Sequence, residues 1–189
     1  MTLLIKALCF ALLFPLFLLS FADQTFAQQV APKQAVAEGC QSDENDKNRP
    51  HDRVALEGVK VGRIFWDVTI ADPGVLAGRL SVIIDTYRDM VRQGVTPEMI
   101  LAFRGGSVRL LARDLTKLPE DVRDKTRDVQ DRLQKLRDMP GVQLESCYIA
   151  MRRVPLEPEN LMKGIVTVNN TFLSAMGYGQ KGYIALPMH

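Results

Sequence analysis

The chain has 189 residues, 47% of them hydrophobic and 24% charged, with a formal net charge of +2. That near balance lacks the basic excess of a nucleic-acid binder, and three cysteines are too few for a disulfide framework. The length suits one domain of ordinary size.

The first element is an apolar run, Leu8 to Leu19, preceded by Lys6, interrupted by Pro15 and followed by polar Asp23-Gln24. A basic start, a compact apolar block and then small residues is the layout of a cleavable secretory signal peptide. The run is short for a span of about 20 apolar residues, so removal is expected rather than a stable membrane anchor. Thr25-Phe26-Ala27 supplies a small-x-small cleavage site, with Ser20-Phe21-Ala22 as the weaker choice. Cleavage after residue 27 removes Lys6, Asp23 and Cys9, so the net charge stays at +2 and two thiols remain, Cys40 and Cys147. A periplasmic or secreted location is expected, and an oxidising one. Residues 28–57 are polar, hold the cluster Ser42-Asp43-Glu44-Asn45-Asp46-Lys47-Asn48-Arg49-Pro50, and show no sustained apolar period. A flexible tail is predicted there, because so little apolar surface cannot offset the entropy of ordering it.

From Gly58 to His189 the pattern alternates strand and helix. Lys60–Thr69 is β-branched and aromatic, as strands are. Asp72-Pro73 caps a helix whose face is Leu76, Leu80, Ile83, Ile84, Tyr87 and Val91, ended by Gly94. Met99–Phe103 is a continuous apolar run, suited to a sheet covered on both faces. A second amphipathic helix runs from Val122 to Met139, with Val122, Val129, Leu133 and Leu136 inward. The pairs Asp128–Arg132 and Asp131–Lys135 support its wet face. Further strands are Gly141–Cys147, Gly164–Val168 and Tyr183–Leu186, with a short helix at best over Thr171–Met176. Such alternation implies right-handed crossovers, a mainly parallel sheet of about five strands and a three-layer α/β sandwich.

In an open parallel sheet, ligands bind beyond the carboxyl ends of the strands. Asp67 to Thr69, Arg104-Gly105-Gly106-Ser107 and Cys147 all fall there. The glycine turn offers exposed amides beside Arg104 that could hold an anion. A tight turn needing glycine for its backbone is the other reading, and the favoured one. It lacks both the dinucleotide glycine spacing and the phosphate-loop Lys-Ser/Thr. Asp67 could act as a base or bond to a neighbouring loop. His51 lies in the tail and His189 is the last residue, so a Ser-His-Asp triad is not expected, and no metal or cofactor site is read.

Cys147 closes the strand Gly141–Cys147 ahead of a helical turn, with Arg152 and Arg153 nearby. Exposed amides and positive charge there would lower its thiol pKa and make it nucleophilic. A small buried hydrophobe is the alternative, and position alone favours it slightly.

Over Gly58 to Pro187 the chain resembles the DsrE/DsrF-like sulfur-relay family. The resemblance is carried by Phe65-Trp66-Asp67-Val68, by Phe103-Arg104-Gly105-Gly106-Ser107-Val108 and by Gly141-Val142-Gln143-Leu144-Glu145-Ser146-Cys147. The strand Gly164–Val168 and the ending Gly179-Gln180-Lys181-Gly182-Tyr183-Ile184 complete it. It implies a parallel five-stranded sheet, homo-oligomers, and a sulfur-carrying role for Cys147, with a sulfur donor or acceptor protein as partner. Arg104 departs from the histidine many members have before the glycine, and the export signal separates this chain from cytoplasmic members. The expected function is therefore a sulfane-sulfur carrier using a Cys147 persulfide, with Arg104 and the Gly105-Gly106 amides holding an anion. A non-catalytic binding or assembly module is the alternative, and a reversible Cys40–Cys147 disulfide is a third reading.

Overall fold

The computed structural model describes residues 49–189. The expected signal peptide, Cys9, Cys40 and residues 28–48 of the expected tail lie outside the described residues. The described part of that tail is tied down: Arg49 pairs with Asp89 at 3.0 Å, Arg92 donates to the Pro50 carbonyl, and Asp52 and Gln93 exchange two hydrogen bonds. These contacts bring residues 49–52 against the C-terminal end of a helix. His51 is exposed there.

The strands are β1 (Val61–Val68), β2 (Thr96–Phe103), β3 (Val142–Cys147), β4 (Ile165–Val168) and β5 (Ile184–Met188). They form one sheet of five strands in the order β4-β3-β2-β1-β5, every pairing parallel. The helices are α1 (Pro73–Arg92), α2 (Glu120–Asp138), α3 (Tyr148–Met151) and α4 (Thr171–Gln180), with a 3-10 helix at Gly105–Leu111. The chain steps from β1 through β4 in one direction and then returns to place β5 beside β1. Right-handed crossovers put connections of opposite travel on opposite faces. Accordingly α1 and α2 pack together over one face, and α4 covers the other.

Helix α1 forms as its sequence dictates. Asp72 Oδ1 accepts from the Val75 amide at 2.9 Å, Pro73 occupies the first turn, and Gly94 takes the left-handed conformation (φ +78°) just past the end. Leu76, Leu80, Ile83 and Ile84 are buried, whereas Val91 faces outward. Helix α2 buries Thr126, Val129, Leu133 and Leu136, and Asp128 pairs with Arg132 at 3.0 Å. These residues close a large core with Trp66, Val68, Met99, Leu101, Phe103 and Leu144 on the same sheet face. The opposite face is thinner: Phe65, Ile100 and Ala102 pack under Ala175, Tyr178 and Tyr183. Strand β2 begins at Thr96, earlier than its apolar run, because Pro97 is accommodated opposite Gly62 near the strand's start.

Candidate functional site

The carboxyl ends of β1, β2, β3 and β4 bring together segments far apart in sequence. A cavity of about 520 Å³ opens there, between the loop after β2, the start of α3 and the start of α4. Arg104, Gly105 and Gly106 form one wall, Ile149, Ala150, Arg153 and Val154 a second, and Asn170, Thr171 and Phe172 a third, with Cys147 among them.

Cys147 is a free thiol, 4% exposed, at the point where β3 becomes α3. Burial alone would push its pKa up. The backbone amides of Thr171, Ala150 and Ile149, together with the Thr171 hydroxyl, reverse that and hold the thiol below its ordinary value. The reason is local: the first amides of a helix have no partner within it. In α4 the Asn170 side chain takes the Phe172 amide at 3.0 Å, leaving the Thr171 amide to face the sulfur. Thr171 Oγ1 is buried and bonds to no oxygen or nitrogen among the described residues, so its proton is available to a thiolate at Cys147. A sulfur anion at Cys147 is thus met by dipoles inside a cavity.

Arg104 is held otherwise than an open anion site requires. Its Nε and Nη2 donate to Asp67 Oδ1 and Oδ2, both at 2.7 Å, and its guanidinium lies 4.9 Å from the centroid of the Phe172 ring. The Asp67 hydrogen bond raises the Arg104 pKa, against burial, and a charged Cys147 adds to it. Asp67 therefore bonds to the neighbouring loop and is absent from the cavity lining. Ser107 is fully buried and donates to the carbonyls of Val68 and Arg104, which fixes the turn without reaching the cavity. Gly105 has φ +62° with open space where a Cβ would point, so the glycine is needed for its backbone. A Cβ on Gly106 would meet Ala71 Cβ at 2.8 Å.

Sequence reasoning had not placed Asn170, Thr171 and Phe172 at the site, nor the apolar wall of Ile149 and Val154. It also missed a polar cluster beneath α4. Glu145 is 2% exposed, and its Oε1 accepts from Gln143 Nε2 at 2.8 Å and from the Tyr178 hydroxyl at 3.0 Å. Burial, then the Glu145 charge, pushes the Tyr178 pKa up to about 12. No group of three or more His, Cys, Asp or Glu suited to a metal ion occurs among the described residues.

No protein-family model matches the chain. An uncharacterized protein from Aquifex aeolicus (strain VF5) is 25% identical over 125 residues, which are 66% of this chain and 55% of that protein. The chain thus spans about half the length of that curated relative. Among solved structures, a protein of unknown function, MTH1491, from Methanobacterium thermoautotrophicum covers 67% of this chain and 99% of its own, with a TM-score of 0.51 and 14% identity. The ychN protein from E. coli gives the same coverages with a TM-score of 0.45 and 11% identity. The likeness to the first of these is one of fold: the parallel α/β sheet is shared.

Proposed function

We propose that this chain is an exported protein of the DsrE/DsrF-like kind that carries sulfane sulfur as a persulfide on Cys147. One observation carries the reading: a buried thiol lines a cavity and is held below its ordinary pKa by amides and a hydroxyl aimed at it. A thiolate is the nucleophile in sulfur exchange. In loading, the Cys147 thiolate attacks the outer sulfur of a donor R–S–SH. A new Sγ–S bond forms, the donor S–S bond breaks, and its electron pair leaves with R–S⁻. No outside oxidant is needed.

The same dipoles that favour the thiolate would favour the persulfide anion, which stores the sulfur until an acceptor arrives. Export is supported by the apolar run at Leu8–Leu19 and its cleavage site. Loaded protein treated with cyanide should release one thiocyanate per chain, and Cys147→Ser none. Equal release from both would remove Cys147 from the role.

Assembly into homo-oligomers, through either reading of the function, is supported by α4. Phe172, Leu173 and Met176 on that helix are 63%, 56% and 62% exposed, and Ile184 on the β5 edge is 67% exposed. Single exposed apolar residues are ordinary, but a cluster of this kind suits a protein partner. Cys40 lies outside the described residues, so a disulfide with Cys147 rests on the sequence alone.

A further inference from the structure

We infer that the cavity beside Cys147 takes a small organic anion bearing its transferable sulfur on an apolar thiol, with Arg153 pairing to the anionic group. The inference rests on the reading of Cys147 as a sulfur carrier and names its substrate class.

Three observations support it. The first is size: about 520 Å³ falls in the range of organic-ligand cavities, roughly 300–1,000 Å³. An inorganic polysulfide of a few atoms would leave most of that space to water, each molecule of which occupies about 30 Å³. The second is the lining, where Ile149, Ala150, Val154 and Phe172 present apolar surface beside the sulfur. Such walls bind hydrocarbon and gain little from a small hydrated ion.

The third concerns charge. Two cations among the described residues line the cavity, Arg104 and Arg153. Asp67 already engages Arg104 through two hydrogen bonds, and Phe172 stacks on its guanidinium, so its charge is matched and its geometry fixed. Arg153 has no carboxylate partner among the described residues, which leaves its guanidinium free for a bidentate pair with a ligand carboxylate. Thr171, 2% exposed, lines the same cavity, and its hydroxyl faces Cys147. A ligand with its outer sulfur at Cys147 and its anion at Arg153 would share the cavity with the apolar side chains that line it. In the exchange the organic R–S⁻ leaves with the electron pair and Cys147 keeps the outer sulfur.

The test compares two aromatic disulfide reagents, one anionic and one neutral, on the full chain, with adducts located at Cys147 by peptide mapping. One is 5,5′-dithiobis(2-nitrobenzoate), which carries carboxylates; the other is neutral 4,4′-dithiodipyridine. Arg153→Gln should slow the anionic reagent about tenfold while changing the neutral one less than about twofold, and Arg153→Lys should restore part of the difference. In the unmodified chain, added salt should slow only the anionic reagent. Equal effects on both reagents, together with no selective salt effect, would overturn the inference. Sulfur loading separates the two levels of the argument. A carboxylate-bearing organic persulfide should load Cys147 faster than inorganic polysulfide does. Loading by polysulfide alone would sink this inference and leave the carrier reading standing, whereas loading by neither would end both.

Discussion

Arg104 and Asp67 form a two-point pair across the ends of β2 and β1, both bonds 2.7 Å long, with Phe172 stacked on the guanidinium. The pair joins the loop after β2 to β1, and the Phe172 contact joins that loop to α4. Both side chains are less than one-third exposed (28% and 24%), so it is sheltered from full screening by water. Asp67→Ala should lower stability by about 1–3 kcal/mol, read as a shift in the urea midpoint. It should also leave Arg104 free and speed anionic reagents at Cys147. A variant as stable as the parent would show that the pair is incidental.

The thiol of Cys147 is the second point of test. Its folded-state pKa is depressed, so the folded protein favours the thiolate more than the unfolded chain does. That contribution to stability is complete above the unfolded value of about 8.5 and is lost as pH falls through the folded value. Stability relative to Cys147→Ser should therefore rise with pH up to about 8.5 and level off beyond it. Thr171→Val removes one of the groups facing the sulfur and should slow iodoacetamide alkylation of Cys147 severalfold at neutral pH. Unchanged alkylation would take the hydroxyl out of the site.

Tyr178 is linked to Glu145 in the opposite sense. Its pKa is pushed up to about 12, first by burial and then by the Glu145 charge. Stability contributed by the neutral phenol is present below its ordinary value of about 10 and lost as pH rises from there toward 12. Tyr178→Phe should flatten that alkaline fall. It should also cost about 1–3 kcal/mol at neutral pH, because among the described residues Glu145 keeps only its Gln143 donor. Retention of the full alkaline slope in Tyr178→Phe would assign it to another group.

Gly105 isolates the backbone from side-chain contacts. Nothing lies within 4 Å of a Cβ placed on it, yet its φ is +62°. Gly105→Ala should destabilise by about 1–2 kcal/mol, and Gly105→Asn by less, since asparagine tolerates the left-handed region. Thermal unfolding of the two variants makes the comparison. Equal losses would point to something other than backbone conformation.

Much of this architecture was legible in the chain. β-branched, aromatic and continuous apolar runs mark the strands, the 3.6-residue period marks the two long helices, and the strand ends place Cys147 and Arg104-Gly105-Gly106 at one edge of the sheet. What stayed hidden depended on long-range partners. Asp67 meets Arg104 37 positions away, and Glu145 meets Tyr178 33 positions away, separations that no local period encodes. Helix α4 runs longer than the sequence predicts, because it buries only Thr171 and so carries almost no amphipathic signal. For the same reason nothing in the sequence marks its first residues as a wall of the cavity. Polar Gln143 and Glu145 alternating with Val142 and Leu144 did hint at a polar patch on one sheet face. Their shared partner, Tyr178, was not deducible from that alternation.

The central claim is that Cys147 holds a transferable sulfur. Intact mass spectrometry after exposure to polysulfide, with and without reductant and with Cys147→Ser alongside, tests it most directly. The account predicts a gain of one sulfur atom that reductant removes and that Cys147→Ser lacks. No gain, with the thiol also unreactive to alkylation until the protein is unfolded, would contradict it and leave Cys147 a core residue of a binding module.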